Sequence, residues 1–319
     1  MVHTDDAYAA MLLTMALSPN KEEYARPLSV QEFRRFEAAA RASSYKSIGR
    51  LMEMDISGLM IYLGLSEEEG YRVYTLMHRG VQLTYAMEGF AAQGIEVVTQ
   101  YDEAYPERLE RKLGQNAPPC FYLCGDAKLL GGPAVAIAGI GGVRTTDEAR
   151  RDLAALVGGA IERGYGIITG GEPGVARVTA AMAAEQGGRL LEILGGDMCE
   201  RLKDDALAQM IAEGRAAVLS QEHPDALFTV NHAIVRNRAL FSLADAAFIF
   251  STDGRRGEVD AIQNHTCDWV YAWKGFPGNG QLIARGAVPF GQLDGAKLDE
   301  MSRHWSSSGG EQLSFFDML

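Results

Sequence analysis

Residues 134–140 read AVAIAGI, and residues 165–171 read YGIITGG. Each is a short apolar run that stops in glycine. Between them lies TDEARRDLAALVGGAIERG (146–164), apolar at helical spacing, with Asp147 and Glu148 suited to the positive end of a helix. A strand, a helix and a strand, with no polar alternation in the strands, predict a parallel sheet buried on both faces. The pattern continues. GVARVTAAMAAEQGG (174–188) predicts a second helix, and RLLEIL (189–194) and AAVLSQ (216–221) predict two more strands. AIVRNRALFSLA (233–244) predicts a helix, DAAFIFS (245–251) a strand, and WVYAW (269–273) the last strand.

The expected fold class is therefore α/β: a doubly wound, mostly parallel, Rossmann-like sheet. The N-terminal part differs. In SVQEFRRFEAAARA (29–42) Ser29 is a plausible N-cap, and Phe33, Phe36 and Ala40 recur at helical spacing. Two short helices separated by Gly64-Leu65-Ser66, with Ser66 capping EEEGYRVYTLM, resemble a helix-hairpin-helix unit. Such hairpins lay backbone amides on DNA phosphates; the other reading is a small helical domain that only packs. TYAMEGFAA (84–92) finishes a helix, Gly94 stops it, and IEVVT (95–99) begins a strand. The expected organisation is a helical domain over 1–92, an extended Rossmann-like domain over 93–290, and a flexible tail over 291–319.

Composition narrows the function. With 30 Lys and Arg against 42 Asp and Glu, the 319-residue chain carries a net charge of −12. A field of that sign opposes nucleic acid, so any phosphate site must be a local basic pocket. No apolar run reaches the roughly 18–20 residues that span a bilayer. The N-terminus lacks a basic region and carries Asp5 and Asp6, unlike a signal peptide. Four cysteines make no disulfide framework at this length, and the histidines follow no metal-binding spacing. These features predict a cytoplasmic, reduced protein with no membrane contact, no metal and no cofactor. No nucleophilic triad or carboxylate pair can be argued, so no catalytic residue is assigned.

In open parallel sheets, ligands sit where strands end and helices begin. Here those ends are GIGGVRTT (139–146), TGGEPGVAR (169–177) and STDGRRGE (251–258), all rich in glycine. Glycine lets backbone amides approach an anion, and the following helix adds partial positive charge. The candidates for phosphate binding are Gly139, Gly141, Gly142 and Arg144 in the first turn, and Thr169, Gly170, Gly171 and Arg177 in the second. Arg255 and Arg256 stand in the third. The first turn is not G-x-G-x-x-G, and no acidic residue ends the second strand, which disfavours a dinucleotide-dependent redox enzyme. Arg236, Asn237 and Arg238 stand at the expected start of a helix, where two arginines could clamp successive phosphates.

Taken together, these stretches resemble the DprA/Smf family of DNA-processing proteins. The resemblance runs over about 94–273. It rests on GIEVVTQYDEAYPERLERKLGQNAPPCFYLCGD (94–126), VAIAGIGGVR (135–144), IITGGEPGVARVTAAM (167–182) and VRNRALFSLADAAFIF (235–250). It implies a protein that binds single-stranded DNA, loads a RecA-type recombinase and forms a homodimer. Carried over by position, Arg144, Thr169, Gly170, Gly171, Arg177, Arg236, Asn237 and Arg238 would then line its basic pocket. The chain departs from the family in having Gly174-Val175-Ala176 where Gly-Ile-Asp is usual, and Arg255-Arg256-Gly257-Glu258 where Ser-Gly-Ser is usual. QLSFF (312–316), after a Ser/Gly spacer, resembles the pentapeptide that docks on the replicative sliding clamp, with Gln312, Leu313, Phe315 and Phe316 as contacts. The other reading is a tail docked on its own domain. Two further readings stay open: a phosphoribohydrolase-like nucleotide enzyme built on Glu258, and a sensor of a phosphorylated nucleotide.

Overall fold

The computed structural model describes residues 3–18, 25–140, 145–254 and 257–306. Five helices come first: α1 (Asp5–Thr14), α2 (Val30–Ala42), α3 (Ile56–Leu63), α4 (Glu67–Met77) and α5 (Gly80–Ala91). Then follow β1 (Ile95–Thr99), α6 (Glu107–Leu113), β2 (Cys120–Gly125), β3 (Ala134–Ala138), α7 (Asp147–Glu162), β4 (Gly166–Thr169) and α8 (Val175–Glu185). Next are β5 (Leu190–Leu194), α9 (Met198–Arg201), α10 (Asp205–Ala212), β6 (Ala216–Ser220), α11 (Val230–Ser242) and β7 (Ala246–Ile249). The last are α12 (Glu258–Gln263), β8 (Trp269–Trp273), α13 (Gly280–Ile283), β9 (Val288–Phe290) and α14 (Gly295–Ser306). The strand order is β1-β2-β6-β5-β4-β3-β7-β8-β9.

Local chemistry starts the helices where the sequence puts polar caps. Ser29 and Ser66 each close a full capping box, with Glu32 and Glu69 returning the bond to the cap's own N–H. Thr146 accepts from the N–H of Ala149 to start α7. Gly64 ends α3 in the left-handed conformation that lets the chain turn into α4.

The chain divides into two compact units, residues 1–131 with 192–239, and residues 132–191 with 240–319. In the first, β1 pairs antiparallel with β2, and β2 antiparallel with β6. Its helical part packs around Met11, Leu13, Phe33, Leu51, Leu59 and Leu76, all fully buried or nearly so. The buried Glu37 carboxylate accepts from Tyr101 Oη at 2.7 Å and Gln100 Nε2 at 2.8 Å, and pairs with Arg34 and Arg41. These donors outweigh burial and hold its pKa below the usual glutamate value.

In the second unit, β3 pairs parallel with β4 and β7, β7 with β8, and β8 with β9. These strands are nearly unbroken apolar runs because both faces are covered. Phe248 stacks on Tyr271, with ring centroids 4.8 Å apart, and the ring of Trp305 meets Phe248 edge-on. β9 is three residues long, with Pro289 opposite Ala272 of β8.

The sheet is mostly parallel, in line with the expected class. Two strands were not anticipated. β2 lies in CFYLCG (120–125), and β9 follows β8, so WVYAW is not the last strand. The antiparallel edge at β1, β2 and β6 accompanies the missed β2. All four cysteines are free. Burial pushes the Cys120 thiol up to about 12, which leaves it protonated and inert. Among the described residues no helix is long and apolar enough to cross a membrane.

Candidate nucleic-acid interface

The candidate residues fall in both units, and each unit presents its own part. In the second, the parallel strands β3, β4 and β7 end in Gly139-Ile140, Thr169-Gly170-Gly171 and Ser251-Thr252. At Gly139 a side chain would not fit: a Cβ there would lie 2.9 Å from Val175 Cγ2 and 3.0 Å from Ser251 Oγ. The turn after β3, the start of α8 and the end of β7 thus meet at this glycine. Ser251 Oγ accepts from the N–H of Ile140 at 2.9 Å. Close packing alone explains Gly139, beyond any role in admitting an anion.

The second turn is built differently. Gly171 has φ +76 and Gly174 has φ +108, conformations that favour glycine. Gly174 is the N-cap of α8 and brings no side-chain acceptor to its first-turn amides. The exposed Arg177 folds back so that its Nε donates to the carbonyl of Gly171. Thr169 is fully buried at the end of β4, and its Oγ1 has no hydrogen-bond partner among the described residues. A buried hydroxyl left so is costly, by about 1–3 kcal/mol. Glu258, the carboxylate of the enzyme reading, accepts from Thr252 Oγ1 at 3.4 Å. Gly141, Gly142 and Arg144 lie outside the described residues, as do Arg255 and Arg256. So do Gln312, Leu313, Phe315 and Phe316.

In the first unit, α11 carries Arg236, Asn237 and Arg238. The helix begins at Val230, so these residues lie in its interior rather than at the expected helix start. Thr229 sets that earlier beginning: its Oγ1 accepts from the N–H of His232 at 3.1 Å, and its carbonyl from the N–H of Ala233 at 3.0 Å. Arg236 and Asn237 are buried and Arg238 is half-buried. Arg236 Nη1 donates to the Ile193 carbonyl of β5 at 3.3 Å. Arg236 therefore ties α11 to the strand, and Arg238 is the more accessible cation of the pair. His232 is on this helix as its spacing from Arg236 suggests, with Nε2 3.4 Å from Glu222 Oε2.

The family model described as DNA recombination-mediator protein A matches residues 96–288, more than half of the chain. The chain belongs to that family. The matched span includes every candidate phosphate-binding position from Gly139 to Arg238. Among solved structures, DNA processing protein A from Streptococcus pneumoniae superposes with a TM-score of 0.65 at 18% identity, over 94% of this chain and 98% of that one. DNA processing protein A from Helicobacter pylori, described for its single-stranded DNA binding mode, superposes with a TM-score of 0.52 at 18% identity. It covers 66% of this chain and 96% of its own. These two likenesses establish the shared fold. No curated protein matches the chain at the sequence level. Family membership makes this a DNA-processing protein of the recombination-mediator type.

The sequence analysis gave no role to the apolar cluster Leu227, Phe228 and Val230, where the segment after β6 runs into α11.

Proposed function

We propose that the chain binds single-stranded DNA and delivers it to a RecA-type recombinase without catalysing a reaction on it. The family match over 96–288, which spans all the candidate turns, is the observation that carries this reading. Arg177 and Arg238, the two accessible cations among the described candidates, supply charge to phosphates. The turn at Gly170-Gly171 and the first-turn amides of α8 supply neutral donors. Such local donors are what a molecule of net charge −12 needs in order to hold a polyanion. The proposed organisation keeps the helical domain at 1–92 and extends the DNA-binding domain from 93 through α14, because Trp305 packs on Phe248 and Asp152 holds the Gln292 and Leu293 amides; the tail is thereby shortened to the residues after 306, and the protein is a homodimer. Residues Gln312, Leu313, Phe315 and Phe316 serve as a docking peptide for the replicative sliding clamp. Deleting 311–319 removes clamp retention and leaves DNA affinity as it was.

The test is fluorescence anisotropy with a labelled oligo-dT across a salt titration. Wild type binds, with affinity falling linearly on a log–log plot. The pair Arg177→Ala/Arg238→Ala binds roughly tenfold or more weakly, and its salt slope is shallower by about 1.4, from about 0.7 per lost contact on a single strand. Tight binding of a mononucleotide with no affinity for oligo-dT defeats this reading and favours a nucleotide enzyme or sensor.

A further inference from the structure

The segment between β6 and α11, together with the first residue of α11, holds large apolar side chains in solvent. Leu227 is 77% exposed, Phe228 47% and Val230 74%. The segment is nevertheless firmly held. The N–H of Asp197 donates to the Ala226 carbonyl at 2.6 Å, and that of Ala226 to the His223 carbonyl at 2.7 Å. The N–H of Cys199 donates to the Pro224 carbonyl at 3.1 Å, and that of Phe228 to Asp197 Oδ2 at 3.3 Å. Gly196, at φ +137, allows the two backbones to touch; a Cβ there would sit 2.6 Å from the Phe228 nitrogen. The main chain thus faces the end of β5, and the side chains are turned outward. Apolar groups held exposed on a fixed support mark a contact surface.

Chemistry selects what covers them. Residues 221–235 include Glu222 and Asp225 and no Lys or Arg, so this ridge repels phosphate. α11, which begins at the ridge, carries Arg238 about two turns further on. On the reading above, phosphates are held by the cations, and the part of the polymer that suits a neutral apolar ridge is the base. Bases are free to stack only when the strand is single; in a duplex they are already stacked and paired. We propose that Leu227, Phe228 and Val230 form a base platform that makes the protein prefer single-stranded over double-stranded DNA. This rests on the DNA-binding reading. Stacking adds affinity that needs no further cation.

The test compares wild type with Leu227→Ala/Phe228→Ala on three labelled probes: oligo-dT, an abasic oligomer of equal length, and a duplex. These side chains are exposed, so the variant keeps its fold. The expected result is about tenfold weaker binding of oligo-dT. Abasic and duplex affinity and the salt slope stay unchanged, so the preference for single strands shrinks by the same factor. Unchanged oligo-dT affinity overturns the platform. If Arg177→Ala/Arg238→Ala still weakens binding in that case, the DNA-binding function survives. Equal loss on all three probes also overturns it, as does loss of a dimer in sedimentation with DNA affinity per protomer intact, which assigns the ridge to a second copy. A wild type that binds no probe overturns both readings together.

Discussion

Glu192→Ala lowers the melting temperature by roughly 10 °C, from a stability loss of about 3–5 kcal/mol. Glu192 is fully buried in β5, and its carboxylate receives Arg201 Nε at 2.6 Å and Nη2 at 2.9 Å. Arg201 is itself 6% exposed, with Asp204 Oδ2 2.9 Å from its Nη1. Removing the glutamate leaves a guanidinium inside the protein with only a partly exposed aspartate to answer it. The paired change Glu192→Met/Arg201→Met recovers most of the loss, because no charge then remains to be buried. Thermal unfolding followed by circular dichroism checks both. A melting temperature for Glu192→Ala within a degree or two of wild type contradicts the account. The effect reaches the DNA-binding reading through Ile193, whose carbonyl receives Arg236.

Asp152→Ala costs about 3–5 kcal/mol in the other unit, since it strands several buried donors at once. Asp152 projects from α7, is 5% exposed, and accepts from Trp273 Nε1 at 2.7 Å. It also accepts from the N–H of Gln292 at 2.9 Å and of Leu293 at 2.7 Å. One carboxylate therefore joins the end of β8 and the segment after β9 to the middle of α7. Hydrogen exchange at the Gln292 and Leu293 amides should speed up more than at β3. Trp273→Phe alone removes one bond and costs about 1–3 kcal/mol; made in the Asp152→Ala background it costs clearly less. Additive losses rule out the shared carboxylate.

The legible parts of the fold were those coded locally. Ser29 and Ser66 cap their helices from within one turn of chain, and β3, β4, β5, β6 and β7 read directly as apolar runs. β2 was missed because Cys120–Gly125 gains its meaning from β1 and β6, strands distant in sequence. β9 was missed because three residues with a proline carry no period. Asp152 was passed over because the reading attended to Asp147 and Glu148, which serve the helix end. The informative feature was an acid on the apolar side of α7, beside Leu153 and Leu156. At the site, the glycine turns and Arg177 were legible as residues, but what each does was not. Gly139 meets a steric demand from Val175 and Ser251, which sit far along the chain. The start of α11 at Val230 was signalled by Thr229, a capping residue overlooked beside the more conspicuous arginines. The earlier helix start places Arg236 inside α11, buried, with its Nη1 on the Ile193 carbonyl of β5.

Pro289 at the outermost strand has a bearing on how copies of this protein can come together. It offers no amide hydrogen, and the strand it interrupts is only three residues long. A visiting β-strand finds no continuous ladder to extend at that border. Self-assembly by edge accretion, the first step toward fibrils, is thereby blunted on this flank, and any pairing of protomers there has to be made with side chains.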